Sequence, residues 1–298
     1  MGSAHDGNAA PRTPKPGWLK VRMPQGERFR ELERLVREER LNTVCRDARC
    51  PNIGECWGAG TATFMILGEV CTRSCRFCAV KKGRPPVYDP DEPRRVAQAV
   101  LKLGLRFVVV TSVDRDDLED GGAHIFAETV RRIRALGGDI GIEVLIPDFR
   151  GDESALRAVV DAAPDILGHN IETVARLYPV ARSGASYARS LRLLRKAKGA
   201  DGRPATKSGI MLGLGETRDE ILEAMHDLAE AGVDILTLGQ YLQPTREHLP
   251  VARYYPPEEF AELREYGLSL GFRHVAAGPL VRSSYHAEKQ AAELRRIT

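Results

Sequence analysis

Phe64-Met65-Ile66-Leu67-Gly68-Glu69-Val70-Cys71-Thr72-Arg73-Ser74-Cys75-Arg76-Phe77-Cys78 is the stretch from which the rest of the chain can be read. The apolar run 64–70 predicts a buried strand. Cys71, Cys75 and Cys78 follow at spacing C-x3-C-x2-C, so they fall in a loop at the strand's C-terminal end. That spacing lets three thiolates of one loop converge on one metal centre, and thiolates suit iron–sulfur clusters and zinc. A structural zinc site is closed by four protein ligands, often including His. The nearest histidine downstream is His124. Three ligands on a four-iron cube leave one iron open to a small molecule offering an amine and a carboxylate, as methionine does.

The chain has 298 residues, 43% hydrophobic and 29% charged, which suits one large globular domain or two small ones. A net charge of +3 gives no case for nucleic acid or a membrane surface. No apolar run approaches the roughly 18 residues that a spanning helix needs. Residues 1–16 are polar and Gly/Pro-rich, without the apolar core of a signal peptide, and are expected to be flexible. All six cysteines lie between 45 and 78, in two groups of three. Grouping by threes without a secretion signal argues for metal in a reducing cytoplasm rather than disulfides.

Residues 15–24, with Trp18 and Leu19 as apolar anchors, are expected to form an extended arm docked on the body. Between Glu27 and Arg40, Phe29, Leu32, Leu35 and Val36 share one helical face. Cys45, Cys50 and Cys56 follow at C-x4-C-x5-C in a polar stretch where Pro51 and Gly54 suit a tight loop. Three more thiols there point to a second cluster, again one ligand short. From Phe64 onward the pattern alternates. Apolar runs at 64–70, 107–112, 141–146, 166–171, 207–213 and 235–242 read as strands. Helical patterns at 92–103, 122–136, 153–163, 186–198, 218–230 and 257–269 follow them. Thr217 to Glu220 is a capping box, and Pro93 and Pro257 suit first-turn positions. Six strand–helix units imply a parallel sheet and are too few for a closed eight-stranded barrel. The expected fold is a partial, open (β/α)6 barrel, with a doubly wound sheet as competitor. Polar motifs after the strand ends favour the barrel.

Those motifs supply the candidate ligand contacts. Ser112 ends the second run and opens an acidic loop closed by Gly121 and Gly122. Asn170 and Glu172, two apart after the fourth run, face one way on an extended segment and could take a ribose or an amino group. His169 beside them reads as a core histidine. Gly213-Leu214-Gly215-Glu216-Thr217 resembles a phosphate loop only weakly. Gln240 ends the sixth run and is placed beside an adenine. Ser283 and Ser284 follow a Gly-Pro turn near the C-terminus and gain interest because the second triad lacks a ligand.

With these residues in hand, the chain resembles the lipoyl synthase family of radical adenosylmethionine enzymes. The resemblance runs from Lys15-Pro16-Gly17-Trp18-Leu19-Lys20 to Arg282-Ser283-Ser284-Tyr285 and includes both cysteine motifs and the segments 178–182 and 184–187. It implies two 4Fe-4S clusters and S-adenosyl-L-methionine as cofactors. Cys71, Cys75 and Cys78 would hold the cluster that cleaves adenosylmethionine. The resulting 5′-deoxyadenosyl radical would abstract hydrogen at C6 and C8 of an octanoyl chain on a carrier lysine. Cys45, Cys50 and Cys56 would hold an auxiliary cluster that is consumed as sulfur donor. Ser284 would be its fourth ligand, with Ser283 as runner-up. Ser112, Asn170, Glu172 and Gln240 are the expected adenosylmethionine contacts. The implied divisions are an arm at 1–26, an extension with the auxiliary cysteines at 27–63, the barrel at 64–278 and a tail at 279–298. Implied partners are octanoylated lipoyl carrier domains, such as the glycine cleavage H protein or a 2-oxoacid dehydrogenase E2 domain. A flavodoxin or ferredoxin would donate electrons, and the protein would be a cytoplasmic monomer. Two other classes share these features: another radical enzyme, biotin-synthase-like or methylthiolating, and a non-enzymatic two-cluster electron carrier.

Overall fold

The computed structural model describes residues 14–21, 26–58, 61–200 and 204–297. Residues 1–13, and Arg22 to Pro24 of the expected arm, lie outside them. The chain opens with α1 (Glu27–Glu38), β1 (Asn42–Thr43), α2 (Val44–Asp47) and α3 (Ile53–Gly58). Then come β2 (Thr63–Ile66), β3 (Val70–Cys71), β4 (Lys81–Lys82), α4 (Glu92–Lys102), β5 (Phe107–Ser112) and α5 (Ala123–Arg134). They are followed by β6 (Gly141–Leu145), α6 (Glu153–Asp161), β7 (Ile166–Gly168), α7 (Tyr178–Ala181) and α8 (Tyr187–Gly199). The chain continues through β8 (Ala205–Leu212), α9 (Arg218–Glu230), β9 (Ile235–Gln240) and α10 (Pro257–Ser269) to β10 (His274–Gly278) and α11 (Ala287–Ile297).

The main sheet runs β1-β2-β5-β6-β7-β8-β9-β10. All its pairs are parallel except β1 with β2. Strands added in chain order, with no reversal, exclude the doubly wound competitor, whose order turns back at a switch point. The six expected strand–helix units are present. Burial explains them: Val108, Val109 and Val110 of β5 are fully enclosed, as a strand covered on both faces requires. Ile221, Met225 and Leu228 give α9 its inner stripe. Thr217 and Glu220 form the capping box, and Pro93 and Pro257 sit in first turns. In α1, Leu32 and Val36 are buried as the pattern requires. Of the arm's two expected anchors, Trp18 is 42% exposed and Leu19 is half-buried.

Two elements were not legible in the alternation. β10 is a seventh parallel strand, paired with β9 from His274–Ile235 to Gly278–Gly239. Its sequence, His-Val-Ala-Ala-Gly, lacks the bulky run that marked the others. The tail also carries a helix, α11. Ala287 and Ala291 pack with Phe107, Val109, Ile166 and Ile235 of β5, β7 and β9. Only the concave side of the sheet lets one helix reach strands so far apart in order, so α11 closes the barrel floor. Paired residues on neighbouring strands share a face. Glu143, level with Val109 and Ile166, and Lys207, level with Ile235, therefore point inward too. They pair at 2.8 and 2.9 Å with neither side chain exposed.

The first strand is shorter than its apolar run, ending at Ile66. Leu67 and Gly68 adopt positive φ, 70° and 89°, and turn the chain across the mouth. The buried Glu92 carboxylate accepts Leu67 N at 2.6 Å and steadies that turn. Burial pushes the Glu92 carboxyl up to about 7, against the pull of the Leu67 amide. Above its unfolded value the folded state then binds a proton that the unfolded chain has released, so Glu92's contribution falls as pH rises to 7. Comparing Glu92→Gln with the parent by urea denaturation should expose this. The stability difference should move in the variant's favour by on the order of 3 kcal/mol between pH 4.5 and 7. Parallel pH profiles would rule out a buried acid at this turn.

Candidate functional site

The loop carrying Cys71, Cys75 and Cys78 crosses the C-terminal mouth of the barrel. It is pinned at both ends. Val70 and Cys71 pair with Lys81 and Lys82 in a small parallel ladder, and Gly83 N donates to Cys71 O at 3.0 Å. In the middle, Arg76 N donates to Ala181 O and Leu249 N donates to Arg76 O. The three thiols feel one another's charge. Burial pushes Cys71 up to about 11 and Cys75 to about 12, and raises Cys78. Without a cation, the cage therefore holds thiols rather than thiolates; metal must displace the protons.

Arg73, between the first two cysteines, is buried and clamps the loop. Its Nε and Nη2 donate to Asp116 at 2.7 and 2.8 Å, Nη2 donates to Asp148 at 2.6 Å, and Nη1 lies 3.3 Å from Asp114. Asp148 also accepts Arg189 Nε at 2.7 Å. Burial alone would raise the Asp148 carboxyl, but Arg73 and Arg189 hold it well below the usual range. Thr72 adds Oγ1 to Asp114 O at 3.0 Å. Asp120 caps α5 through Gly122 N and His124 N. The acidic loop is thus largely consumed in holding the cysteine loop and a helix start.

Strand ends bring further groups to the mouth. Ser112 Oγ is buried and has no hydrogen-bond partner. Asn170 Nδ2 donates to Glu172 Oε1 at 3.1 Å, so these two do face one way. Burial raises the Glu172 carboxyl, against the pull of Arg182 and Asn170. A Cβ on Gly209 would lie 2.6 Å from Thr237 Oγ1 and 2.9 Å from Asn170 Oδ1, which is why that strand carries glycine there. Gln240 behaves differently. Its amide donates to Leu212, Tyr241 and Arg253 carbonyls and accepts Tyr255 N. It staples the loop after β9. Glu216 accepts Gly213 N and Leu214 N, so two of the glycine loop's amides are already spent on its own carboxylate. His169 donates from Nδ1 to Ile146 O and accepts from Ser190 at Nε2, both at 2.9 Å. Burial pushes it down to about 3, so it is the neutral core histidine expected. Arg182 was not singled out by sequence. Its Nη1 donates to Asn170 O and Tyr178 Oη, and its charge acts on Cys75. Its place in the segment 178–182 was the available signal.

The second triad lies beside this mouth. Two short helices replace the expected loop: α2 carries Cys45, α3 carries Cys56, and Cys50 sits in the turn between, where Arg49 has φ 53°. The three cysteines line a small cavity with Asn52, Arg282 and Ser284. Ser283 instead donates to Asn170 Oδ1 at 3.2 Å. The tail is tied to α3 and the turn before it by Tyr285 Oη to Glu55 at 3.1 Å and Asn52 Nδ2 to Leu280 O at 2.7 Å. Burial pushes Cys45 up to about 11 and Cys56 to about 12. The buried Trp57 indole N–H has no oxygen or nitrogen partner and lies beside Cys45, whose charged form it favours. The donor chemistry fits clusters: two sets of three soft thiols, with an unpaired hydroxyl at the mouth and a buried N–H at the second cage. Among the described residues, no three His, Cys, Asp or Glu side chains close on a single ion.

Residues 65–239 match the Radical SAM superfamily. The chain is 59% identical to a lipoyl synthase of Rubrobacter xylanophilus over 95% of this chain and 88% of the relative. It is 60% identical to one of Symbiobacterium thermophilum over 94% and 87%, and 56% identical to one of Bacillus cereus over 95% and 96%. Among solved structures it resembles a methylornithine synthase at TM-score 0.54 and 15% identity, covering 84% of this chain and 79% of that one. It also resembles coproporphyrinogen III oxidase from Escherichia coli at TM-score 0.53 and 13% identity, covering 75% and 56%. These two likenesses show the shared fold.

Arg73→Met would leave Asp148 buried beside Asp114 and Asp116 with its main counter-charge gone. Loss of one partner from a buried pair costs about 3–5 kcal/mol. Thermal denaturation of the reduced, metal-free protein should show that loss, and Arg73→Met/Asp148→Asn should recover part of it. Equal stability of the single variant and parent would show that the clamp contributes nothing.

Proposed function

The chain belongs to the lipoyl synthase family of radical SAM enzymes, and we propose that it inserts sulfur at C6 and C8 of octanoyl-lysine on a lipoyl carrier domain. The observation that carries this reading is the pair of cysteine triads at one barrel mouth, the second lining a cavity with Ser284 of a tail whose Ser283 bonds Asn170. In this reading Cys71, Cys75 and Cys78 hold the first 4Fe-4S cluster, and Cys45, Cys50, Cys56 and Ser284 hold the auxiliary one. Bound together, the first cluster and S-adenosyl-L-methionine supply a 5′-deoxyadenosyl radical, the chemistry an unactivated C–H bond requires, and the auxiliary cluster supplies sulfur.

The residues divide the remaining work. Arg73 holds the cysteine loop against three carboxylates and so would fix the loop on which the cluster is held. The unpaired Ser112 hydroxyl and the Asn170–Glu172 pair offer adenosylmethionine a donor, an amide and a carboxylate. Gln240 supports the adenine side by holding its loop rather than by direct contact. Ser283 links the mouth to the auxiliary cage through Asn170, which favours Ser284 as the ligand. Serine oxygen is harder than thiolate sulfur and matches cluster iron less well, which suits a cluster that is consumed. The carrier would be an octanoylated H protein or E2 domain, the electron source a flavodoxin or ferredoxin, and the setting the cytoplasm. Among the described residues no helix is long and apolar enough to cross a membrane.

Anaerobic reconstitution should give about eight irons and eight sulfides per chain. With octanoyl-lysine peptide, adenosylmethionine and dithionite, mass spectrometry should find 5′-deoxyadenosine, a monothiolated intermediate and at most one lipoyl group per chain. Many turnovers without a sulfide or cluster donor would exclude a consumed cluster. Cys45→Ala or Cys56→Ala should keep 5′-deoxyadenosine formation and lose insertion, whereas an electron carrier would form none. Asn170→Ala should weaken adenosylmethionine binding by about 1–3 kcal/mol; unchanged affinity in a folded variant would remove Asn170 from the site.

A further inference from the structure

Arg282 has no role in the scheme above, yet its position is unusual. It lines the auxiliary cavity with Cys45, Cys50, Cys56 and Ser284. The cavity has no other cationic side chain among its described lining residues. The only hydrogen bond described for its guanidinium is from Nη1 to the adjacent Val281 O, at 2.6 Å. The tail that carries it is pressed against β9. A Cβ on Gly239 would lie 2.1 Å from Val281 O and 3.2 Å from Arg282 Nη1, so glycine is what admits the Val281 carbonyl and with it the tail that carries Arg282. Its charge acts on Cys50 on one side and on Glu172 of the mouth on the other. A guanidinium with spare donors, set between a thiol cage and a mouth carboxylate, is placed to answer negative charge that arrives with the guest.

Resting on the auxiliary-cluster reading, we infer that Arg282 is the charge-compensating residue of that cage and raises the reduction potential of the cluster held there. The ligand set calls for such compensation. Three thiolates and an alkoxide would bring four negative charges to a core that carries fewer positive ones, so the loaded cage would be an anion in a poorly solvated site. Net charge and hydrogen bonds to sulfur are among the factors that set cluster potentials. A fixed cation in a poorly solvated cage acts more strongly than the same charge in water. Arg282 acts through the cluster rather than on the substrate, so its signature is a potential.

The test uses protein with Cys71, Cys75 and Cys78 replaced by Ala, so that only the auxiliary cluster is reconstituted, and reads its potential by electron paramagnetic resonance under redox titration. Arg282→Gln should shift the potential to more negative values, and Arg282→Lys should return it towards the parent's. A cluster retained by Lys but lost from Gln supports the inference equally, because only the charge separates them. An unchanged potential in a loaded Gln variant overturns it. So does loss of the cluster from both variants, which would assign Arg282 to shape. If the parent itself loads no iron at Cys45, Cys50 and Cys56, the auxiliary-cluster reading fails first and separately.

Discussion

The buried contact of Arg73 with Asp114, Asp116 and Asp148 is the constraint on which the mouth depends. A loop carrying three cysteines has no reason of its own to hold one shape, because its thiols repel once ionised and its backbone is short of regular pairing. Arg73 resolves this by reaching the loops after β5 and β6 at once. Arg189 of α8 completes the neutralisation of Asp148. Three carboxylates share the direct contacts of two guanidinium groups. Asp114 is the carboxylate left most weakly paired, at 3.3 Å from Arg73 and 3.8 Å from Cys71 Sγ. Burial raises it, against Arg73 and Arg182. The cage therefore sits beside a carboxylate that disfavours free thiolates, and its natural occupant is a cation.

Most of the scaffold was legible because its elements repeat one physical pattern. Runs such as Phe107–Ser112 are apolar on both faces, and each is followed by an amphipathic helix with its own start signal. β10 escaped because alanine and glycine bury little surface of their own; β9 and α10 hold it in place instead. α11 escaped because it reads as an ordinary charged tail, and its small buried face, Ala287 and Ala291, matters only once a barrel floor exists to receive it. The two short helices around Cys50 escaped for the same reason, since Pro51 and Gly54 carry turn signals that local packing overrides.

The site was legible to the extent that chemistry marks residues. Cysteine spacing singled out both triads as candidates, and strand ends singled out Ser112, Asn170 and Glu172. Sequence has no means to say which polar groups at a strand end are already spent. Gln240 and Asn170 look equivalent in the chain. In the fold Gln240 has four backbone partners, three in its own loop and one at the end of β8, while Asn170 is shared between Glu172 and the tail. The same distinction separates Glu216, which caps two amides, from Glu172. A polar residue becomes a candidate for ligand contact only after its structural obligations are counted.

The two cages also differ in when they can exist. Cys71, Cys75 and Cys78 are contiguous, so their cage needs only the turn after β2 and the Arg73 clamp. The auxiliary cage joins Cys45, Cys50 and Cys56 to a tail more than 220 residues away, through Asn52–Leu280 and Tyr285–Glu55. Closing so distant a contact is entropically unfavourable until intervening structure has formed. The tail reaches α3 only after β10 has added to β9 and brought residues 279–286 to the mouth. Ser284, a wall of that cavity, thus depends on the tail, with its neighbour Ser283 bonded to Asn170. In the proposed reading a fourth ligand delivered by the finished barrel would couple the auxiliary site to the mouth, so that the sulfur-donating cage would be complete only where the radical chemistry can be aimed at it.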